Sequence, residues 1–227
     1  MRFGTNTKND MLLEIFSRVL AFLFILILFP IFLFIGVSCF FFQGSPIFFK
    51  QERVGYNFKI FNIYKFRSMV HNSGEIITKP NDLRITKFGK FLRKTKIDEI
   101  PQLFNILKGD MRFIGPRPEV LNYFDKSSFQ FLMNVKPGVS DYSSILFRDE
   151  EKILERIGGN KPYLKLLPLK LELAEYYSSK KNIFLDFKLV IITIISIFFP
   201  KYSSKTLIVP RLVIDLPESE EFLKKYI

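Results

Sequence analysis

Val19–Phe42 reads VLAFLFILILFPIFLFIGVSCFFF, an uncharged apolar run broken by Pro30. A bilayer-crossing helix needs about 20 apolar residues, and this run is long enough. A secretory leader has a shorter core and a small-residue cleavage site. Here Phe40-Phe41-Phe42 leads into Gln43, so the segment is expected to be retained. Lys8 and Arg18 flank one end, and Lys50, Arg53, Lys59, Lys65 and Arg67 follow the other. Positive charge marks the cytoplasmic side of a span, so both ends read as cytoplasmic. Pro30 removes a backbone hydrogen bond and favours a kink. A helix that enters, bends at Phe29-Pro30 and returns fits these cues; a single-pass anchor with a tolerated proline also fits. Downstream, Ile183–Phe199 is apolar but carries Asp186 and Lys188. It is too short to span once those charges are discounted, which leaves an interfacial amphipathic helix or a buried one.

Composition narrows the chemistry. The 227 residues include 28 Phe, and the net charge is +12, which calls for an anionic partner such as lipid headgroups, nucleotide phosphates or nucleic acid. One cysteine, Cys39, cannot form an internal disulfide. One histidine, His71, sits in the polar stretch around Asn72-Ser73-Gly74 and reads as a loop residue. Ser-His-Asp or Cys-His catalysis and a His-rich zinc site are therefore disfavoured.

Pro46–Met69 reads as a β-hairpin turning at Gly55-Tyr56-Asn57. Its basic residues are read either as site residues or as a solvated face. Thr86 is placed to cap a helix carrying Lys87, Lys90, Arg93 and Lys94, with Ile85, Phe88, Phe91 and Leu92 on its apolar face.

The stretch with the densest chemistry is Lys96–Glu119, KIDEIPQLFNILKGDMRFIGPRPE. Asp98 is placed as an N-cap, with Glu99 in the first turn and Pro101 close behind. Ile100, Leu103, Phe104 and Leu107 are spaced for one buried face, and Gly109 ends the helix. The helix dipole and the nearby cations favour ionised carboxylates. An ionised Asp is a usable nucleophile toward phosphorus, and an adjacent Glu could join it on Mg²⁺. Alternatively, the pair is only a helix cap. Pro116-Arg117-Pro118 is a stiff turn that limits the entropy lost when Arg117 grips an anion. Arg148 is a third candidate anion ligand, although Asp149 or Glu150 could pair with it. Glu151–Lys161 reads as helix ending at Gly158-Gly159, Leu164–Tyr177 as an amphipathic helix, Leu207–Leu216 as extended and Glu218–Tyr226 as a terminal helix. There is no Walker loop or paired-glycine dinucleotide fingerprint.

Five ordered motifs resemble one family: PIFFKQERVG at Pro46–Gly55, KFRSM at Lys65–Met69, RITKFGKFLR at Arg84–Arg93, DEIPQLFNILKGDM at Asp98–Met111 and IGPRPE at Ile114–Glu119. Over about Arg18–Phe199 the chain is similar to the bacterial sugar transferases, small monotopic phosphoglycosyl transferases that start glycan assembly. The resemblance implies an α+β, mainly helical fold: a monotopic membrane protein with an N-terminal re-entrant helix, a small β-hairpin and interfacial amphipathic helices. It implies a re-entrant membrane helix over 1–44 broken at Phe29-Pro30, a catalytic domain over 45–200 and a tail over 201–227.

The implied reaction moves a phosphosugar from a UDP-sugar to undecaprenyl phosphate and releases UMP. By motif, Asp98 would be the nucleophile, and Asp98 with Glu99 would hold Mg²⁺. Arg93, Arg117 and Pro118 would hold the donor phosphates, with Ser68 and Arg67 lining the same site and Arg148 assisting. The implied partners are the UDP-sugar, undecaprenyl phosphate and inner-membrane lipid, with no nucleic acid. The implied location is the cytoplasmic face of the bacterial inner membrane, both termini cytoplasmic. The large membrane domain of longer relatives is absent, so a minimal form is expected. One region departs from the pattern. After Lys136-Pro137-Gly138, many members continue Gly-Trp-Ala-Gln with a later Arg-Asn pair, whereas this chain has Ser140-Asp141-Tyr142-Ser143-Ser144 and Phe147-Arg148-Asp149-Glu150. The competing functions are a UDP-releasing glycosyltransferase and a membrane-anchored basic binding protein without catalysis.

Overall fold

The computed structural model describes residues 7–70, 82–199, 207–216 and 219–226. His71 and the loop expected around it lie outside the described residues, apart from Asp82. The described chain is mainly helical with two small β-sheets.

Helix α1 (Thr7–Gln43) runs unbroken through Pro30. It is the one described helix long and apolar enough to cross a membrane. The expected break at Phe29-Pro30 is thus no interruption of the helix. Proline forfeits one hydrogen bond and crowds the preceding turn, and packing on both sides offsets that loss. Phe24 meets Phe113 at 5.9 Å before Pro30, and Phe32 meets Phe66 and Phe104 at 5.7 and 5.6 Å after it. Ala21, Ile35 and Cys39 are buried, and Ile25, Leu28 and Phe32 are half-buried. Their alternating spacing of three and four residues draws one stripe along the helix. The other faces expose large side chains such as Ile27, Phe34 and Phe41. Both ends are tied to the same globular body. Lys136 Nζ reaches Glu14 at 2.8 Å, and Gln43 Nε2 donates to the Arg67 carbonyl at 2.8 Å.

The expected hairpin is present. Strands β1 (Phe48–Val54) and β2 (Ile60–Phe66) pair antiparallel, Phe48 opposite Phe66 and Val54 opposite Ile60. Helix α2 (Lys87–Thr95) starts at Thr86, whose side chain accepts from Gly89 N at 2.8 Å. Leu92 is fully buried, but Phe91 of the expected apolar face is 53% exposed. Helix α3 (Gln102–Lys108) ends at Gly109 in the left-handed conformation. Its most buried side chains are Gln102, Asn105 and Ile106, while the expected face of Ile100, Leu103, Phe104 and Leu107 is half-buried. The polar Asn105 is drawn inward because it pairs with a strand edge: its Oδ1 accepts from Tyr64 N at 3.0 Å, and its Nδ2 donates to the Asn62 carbonyl at 2.6 Å.

Strands β3 (Arg112–Ile114) and β4 (Gly138–Ser140) form a short parallel pair. Helices α4 (Tyr142–Leu146), α5 (Glu150–Ile157), α6 (Pro162–Lys180) and α7 (Ile183–Phe198) follow. They share a core that includes Tyr142, Ile153, Leu166, Leu173 and Ile192. On α7, Leu189, Ile192 and Ser196 face this core, while Phe184, Phe187, Ile194 and Phe198 are exposed.

The expected extended segment at Leu207–Leu216 is instead largely helix α8 (Val209–Asp215). Ile208 and Leu212 are four apart, so a helix points both into the core, and Pro210 in the first turn costs no hydrogen bond. Helix α9 (Glu220–Tyr226) adds the buried Leu223 to the same core.

Candidate active site

Asp98 lies in a single 3-10 turn, Ile97–Glu99, entered through left-handed Lys96. It is therefore not the N-cap of α3, a position taken by Pro101. Asp98 belongs to this separate turn and stands four positions ahead of the first residue of α3. The Asp98 side chain is released for another use. The residue is 6% exposed, and its Oδ1 is buried without a hydrogen-bond partner.

Glu99 has the opposite surroundings. Asn105 fixes β2 against α3, which brings Lys65 to Glu99. Lys65 Nζ and Arg117 Nη2 both meet Glu99 Oε1 at 2.8 Å. Arg117 is set by the close approach of β3 and β4. A Cβ on Gly138 would lie 2.1 Å from Gly115 N, so only glycine permits this contact. The turn is then held through Arg117 N, which donates to Asp141 Oδ2 at 3.2 Å. Asp141 also caps α4, accepting from Ser144 N at 2.7 Å.

Burial pushes the Asp98 carboxyl above the usual aspartate range, and the Lys65 charge opposes that only in part. Burial also acts to raise Glu99, but Arg117 and Lys65 outweigh it and hold Glu99 well below the usual range. The same pairing with Glu99 raises Arg117. Lys65 is lowered by burial, which outweighs its attraction to Glu99. The expectation that both carboxylates are favoured in the ionised form thus holds in direction for Glu99 and not for Asp98.

These groups open onto a cavity of about 430 Å³. One side carries Lys90, Arg93, Lys94 and Lys96. Arg117, Pro118 and Arg148 also line it. Arg93 forms a salt bridge to Glu151 at 3.0 Å. Arg148 pairs with neither Asp149 nor Glu150 through its guanidinium. It donates to the backbone carbonyls of Ser196 and Lys94, the second at 3.4 Å, and so joins α7 to the cavity wall.

Arg67 and Ser68 are placed elsewhere. Arg67 is 6% exposed, and its guanidinium donates to the carbonyls of Gln43, Gly44 and Ser45, closing the C-terminal end of α1. Ser68 accepts from Thr86 N through its carbonyl at 3.2 Å and packs beneath α2. Lys65 and Arg53 are hairpin cations whose sequence context fits either a site or a solvated face, and both line the cavity. Glu119, Glu150, Tyr163 and Lys170 also line it and are not among the residues expected there from sequence. No local spacing announces residues that far apart.

The donor set suits a hard cation completed by a ligand. Among the described residues no three His, Cys, Asp or Glu side chains cluster as a metal site. Mg²⁺ commonly uses one or two carboxylates, with phosphate oxygens and water filling the rest of its octahedron. An unpartnered Asp98 oxygen beside Glu99 fits that requirement.

The bacterial sugar transferase family profile matches residues 8–200. The chain belongs to this family. Its relatives include a UDP-N-acetylgalactosamine-undecaprenyl-phosphate N-acetylgalactosaminephosphotransferase from Aeromonas hydrophila, 35% identical over 70% of this chain and 40% of the relative. A UDP-glucose:undecaprenyl-phosphate glucose-1-phosphate transferase from Escherichia coli is 31% identical over 81% of this chain and 39% of the relative. An uncharacterized sugar transferase, EpsL, from Bacillus subtilis is 37% identical over 66% of this chain and 69% of its own length. The chain thus spans about 40% of the length of the first and second of these. The family match stops at residue 200, short of α8 and α9.

Proposed function

We propose that this protein transfers a phosphosugar from a UDP-sugar to undecaprenyl phosphate, with Asp98 as the covalent nucleophile. The observation that carries this reading is the buried, unpartnered Oδ1 of Asp98 in a cavity lined with cations. In the first step an Asp98 carboxylate oxygen attacks the β-phosphorus. The bond from that phosphorus to the bridging oxygen breaks, and UMP departs with the electron pair. In the second step a phosphate oxygen of the polyprenyl acceptor attacks the same phosphorus and releases the carboxylate. Desolvation leaves Asp98 poorly hydrated and thus more nucleophilic once ionised. Arg117 and Lys65, oriented by Glu99, and the α2 cations stabilise charge on the diphosphate as the bond breaks. Bound Mg²⁺ at Asp98 and Glu99 would offset the diphosphate charge further.

The relatives' names support this donor and acceptor. Membrane placement is supported by α1. Its tied ends, Glu14 and Gln43, are separated by roughly 44 Å of helix if straight, beyond the ~30 Å hydrocarbon core. A perpendicular span would draw the globular body through the bilayer. Lying in one leaflet, α1 can bury its exposed apolar faces in lipid while both ends stay with the body on the cytoplasmic face.

The test is Asp98→Asn with a donor labelled in its sugar. The wild type is expected to release UMP and to carry a sugar-phosphate adduct on the Asp98 peptide. Asp98→Asn is expected to lose both by at least about 10³-fold. Near-normal UMP release by the variant, or release of UDP instead, would overturn the mechanism.

A further inference from the structure

The cavity is not cationic throughout. Its floor holds a buried network that phosphate binding does not use. Tyr163 OH donates to Glu119 Oε2, and Glu119 Oε1 accepts from Val120 N at 2.8 Å. Lys170 Nζ donates to Tyr163 OH at 3.2 Å and to Glu150 Oε2 at 3.1 Å. Arg53 Nη1 donates to the Pro118 carbonyl at 3.0 Å and stands 3.8 Å from Glu119. Glu119 and Tyr163 are only 6% and 7% exposed, yet both line the cavity. Arg53, with 20% of its side chain exposed, keeps a buried Nε without a partner.

Two carboxylates make this floor a poor seat for phosphate. Carboxylates, an ammonium and a phenol suit hydroxyl groups, which both donate and accept. The network keeps capacity for them, since each carboxylate oxygen has two lone pairs and an ammonium has three protons. The floor is adjacent to the reacting end. Pro118, held by Arg53, lies between Arg117, bound to Glu99, and Glu119 on the floor. Asp98 would attack the β-phosphorus, the one that carries the sugar, so the sugar must lie next to Arg117 and Asp98. Phe129, Phe131, Leu167, Leu171 and Ala174 form an apolar wall over the same floor.

Resting on the phosphosugar chemistry above, we propose that the Arg53–Glu119–Glu150–Tyr163–Lys170 floor is the sugar subsite. It selects a neutral hexose with an apolar substituent, such as an acetamido methyl, and rejects a uronic acid. The sugar's hydroxyls exchange hydrogen bonds with the network, and its substituent contacts the wall. Arg53 and Lys170 already offset Glu119 and Glu150, so a C6 carboxylate would bring a third anion to two cations, and desolvated excess charge is costly.

The experiment uses the full-length protein in detergent and measures binding of UDP-N-acetylglucosamine, UDP-glucose, UDP-glucuronate and UDP by calorimetry, together with UMP release. In the wild type, UDP-N-acetylglucosamine is expected to bind tightest. UDP-glucuronate is expected to bind at least about tenfold more weakly than UDP-glucose. Tyr163→Phe and Glu119→Gln are expected to weaken both neutral donors about tenfold while leaving UDP affinity within twofold. UDP-glucuronate binding as well as UDP-glucose would overturn the proposal without any variant needing to fold. An equal loss of UDP and UDP-sugar affinity in the folded variants would also overturn it, by making the floor a nucleoside site or a structural one. UMP release by the wild type tests phosphosugar transfer separately, so the two readings can fail independently.

Discussion

Lys65→Met separates the work of Glu99 from that of Asp98. Lys65 Nζ sits 2.8 Å from Glu99 Oε1, with 18% and 14% of the two side chains exposed. At an effective dielectric constant of 20, unit charges that close attract by about 6 kcal/mol. Most of this offsets the cost of desolvating both ions, several kcal/mol each. Glu99 also keeps Arg117. The net destabilisation is expected to be about 1–3 kcal/mol, well short of unfolding. Catalysis should suffer more, because a preorganised charge near the phosphates is lost: UMP release is expected to fall about 10²-fold at pH 7.

The pH dependence carries the sharper test of Lys65→Met. Asp98 lies above its usual value, and Lys65 holds it down. Removing Lys65 lets Asp98 rise further, so the acid limb of UMP release should move to higher pH. Glu99 contributes stability that is present above its unfolded value and lost as pH falls through its depressed folded value. That contribution should shrink in the variant. The assays are UMP release and the thermal midpoint in detergent, each across pH 4–9. An acid limb that stays in place, with activity within twofold of wild type, would refute the electrostatic reasoning.

Gly138→Ala should force β3 from β4 and displace Arg117, costing at least about 2 kcal/mol and most activity, read by thermal midpoint and UMP release. Arg67→Met should cost about 3 kcal/mol by stranding three carbonyls at the end of α1, while the donor KM of the folded fraction stays unchanged. Donor binding through Arg67 would appear instead as a raised KM with normal stability. Cysteine tags at both termini, in a Cys39→Ala background, should react only from the cytoplasmic side; labelling of either from outside would refute the one-leaflet placement of α1.

Local patterns were legible where one element decides them. The hairpin followed from alternation around Gly55-Tyr56-Asn57, and α2 from Thr86 and its cations. Patterns failed where a partner far along the chain decides the outcome. Asp98 has every local mark of a helix cap, but left-handed Lys96 starts a separate turn one step earlier. Asn105 looks like a surface residue and is fully buried because Asn62 and Tyr64 offer it a strand edge. Arg67 carries an arginine's usual promise of anion binding, yet the end of α1 takes its guanidinium. Leu207–Leu216 has the composition of a strand, but its buried positions fall four apart rather than two.

The contrast between the adjacent carboxylates supports the different roles proposed for them. Two neighbours on one turn share the same charges to within a few ångströms, so proximity to cations cannot distinguish them. Contact does. Glu99 spends Oε1 on Lys65 and Arg117, which fixes two cations that would otherwise be free to swing. Asp98 is desolvated with an oxygen left over, so its ionised form is high in energy and gains most from bonding to phosphorus or a cation. When two acids in one site are pushed in opposite directions, their surroundings give them different roles. In the proposed reaction Asp98 is the group at the reacting phosphorus, and Glu99 keeps Arg117 and Lys65 in place for it.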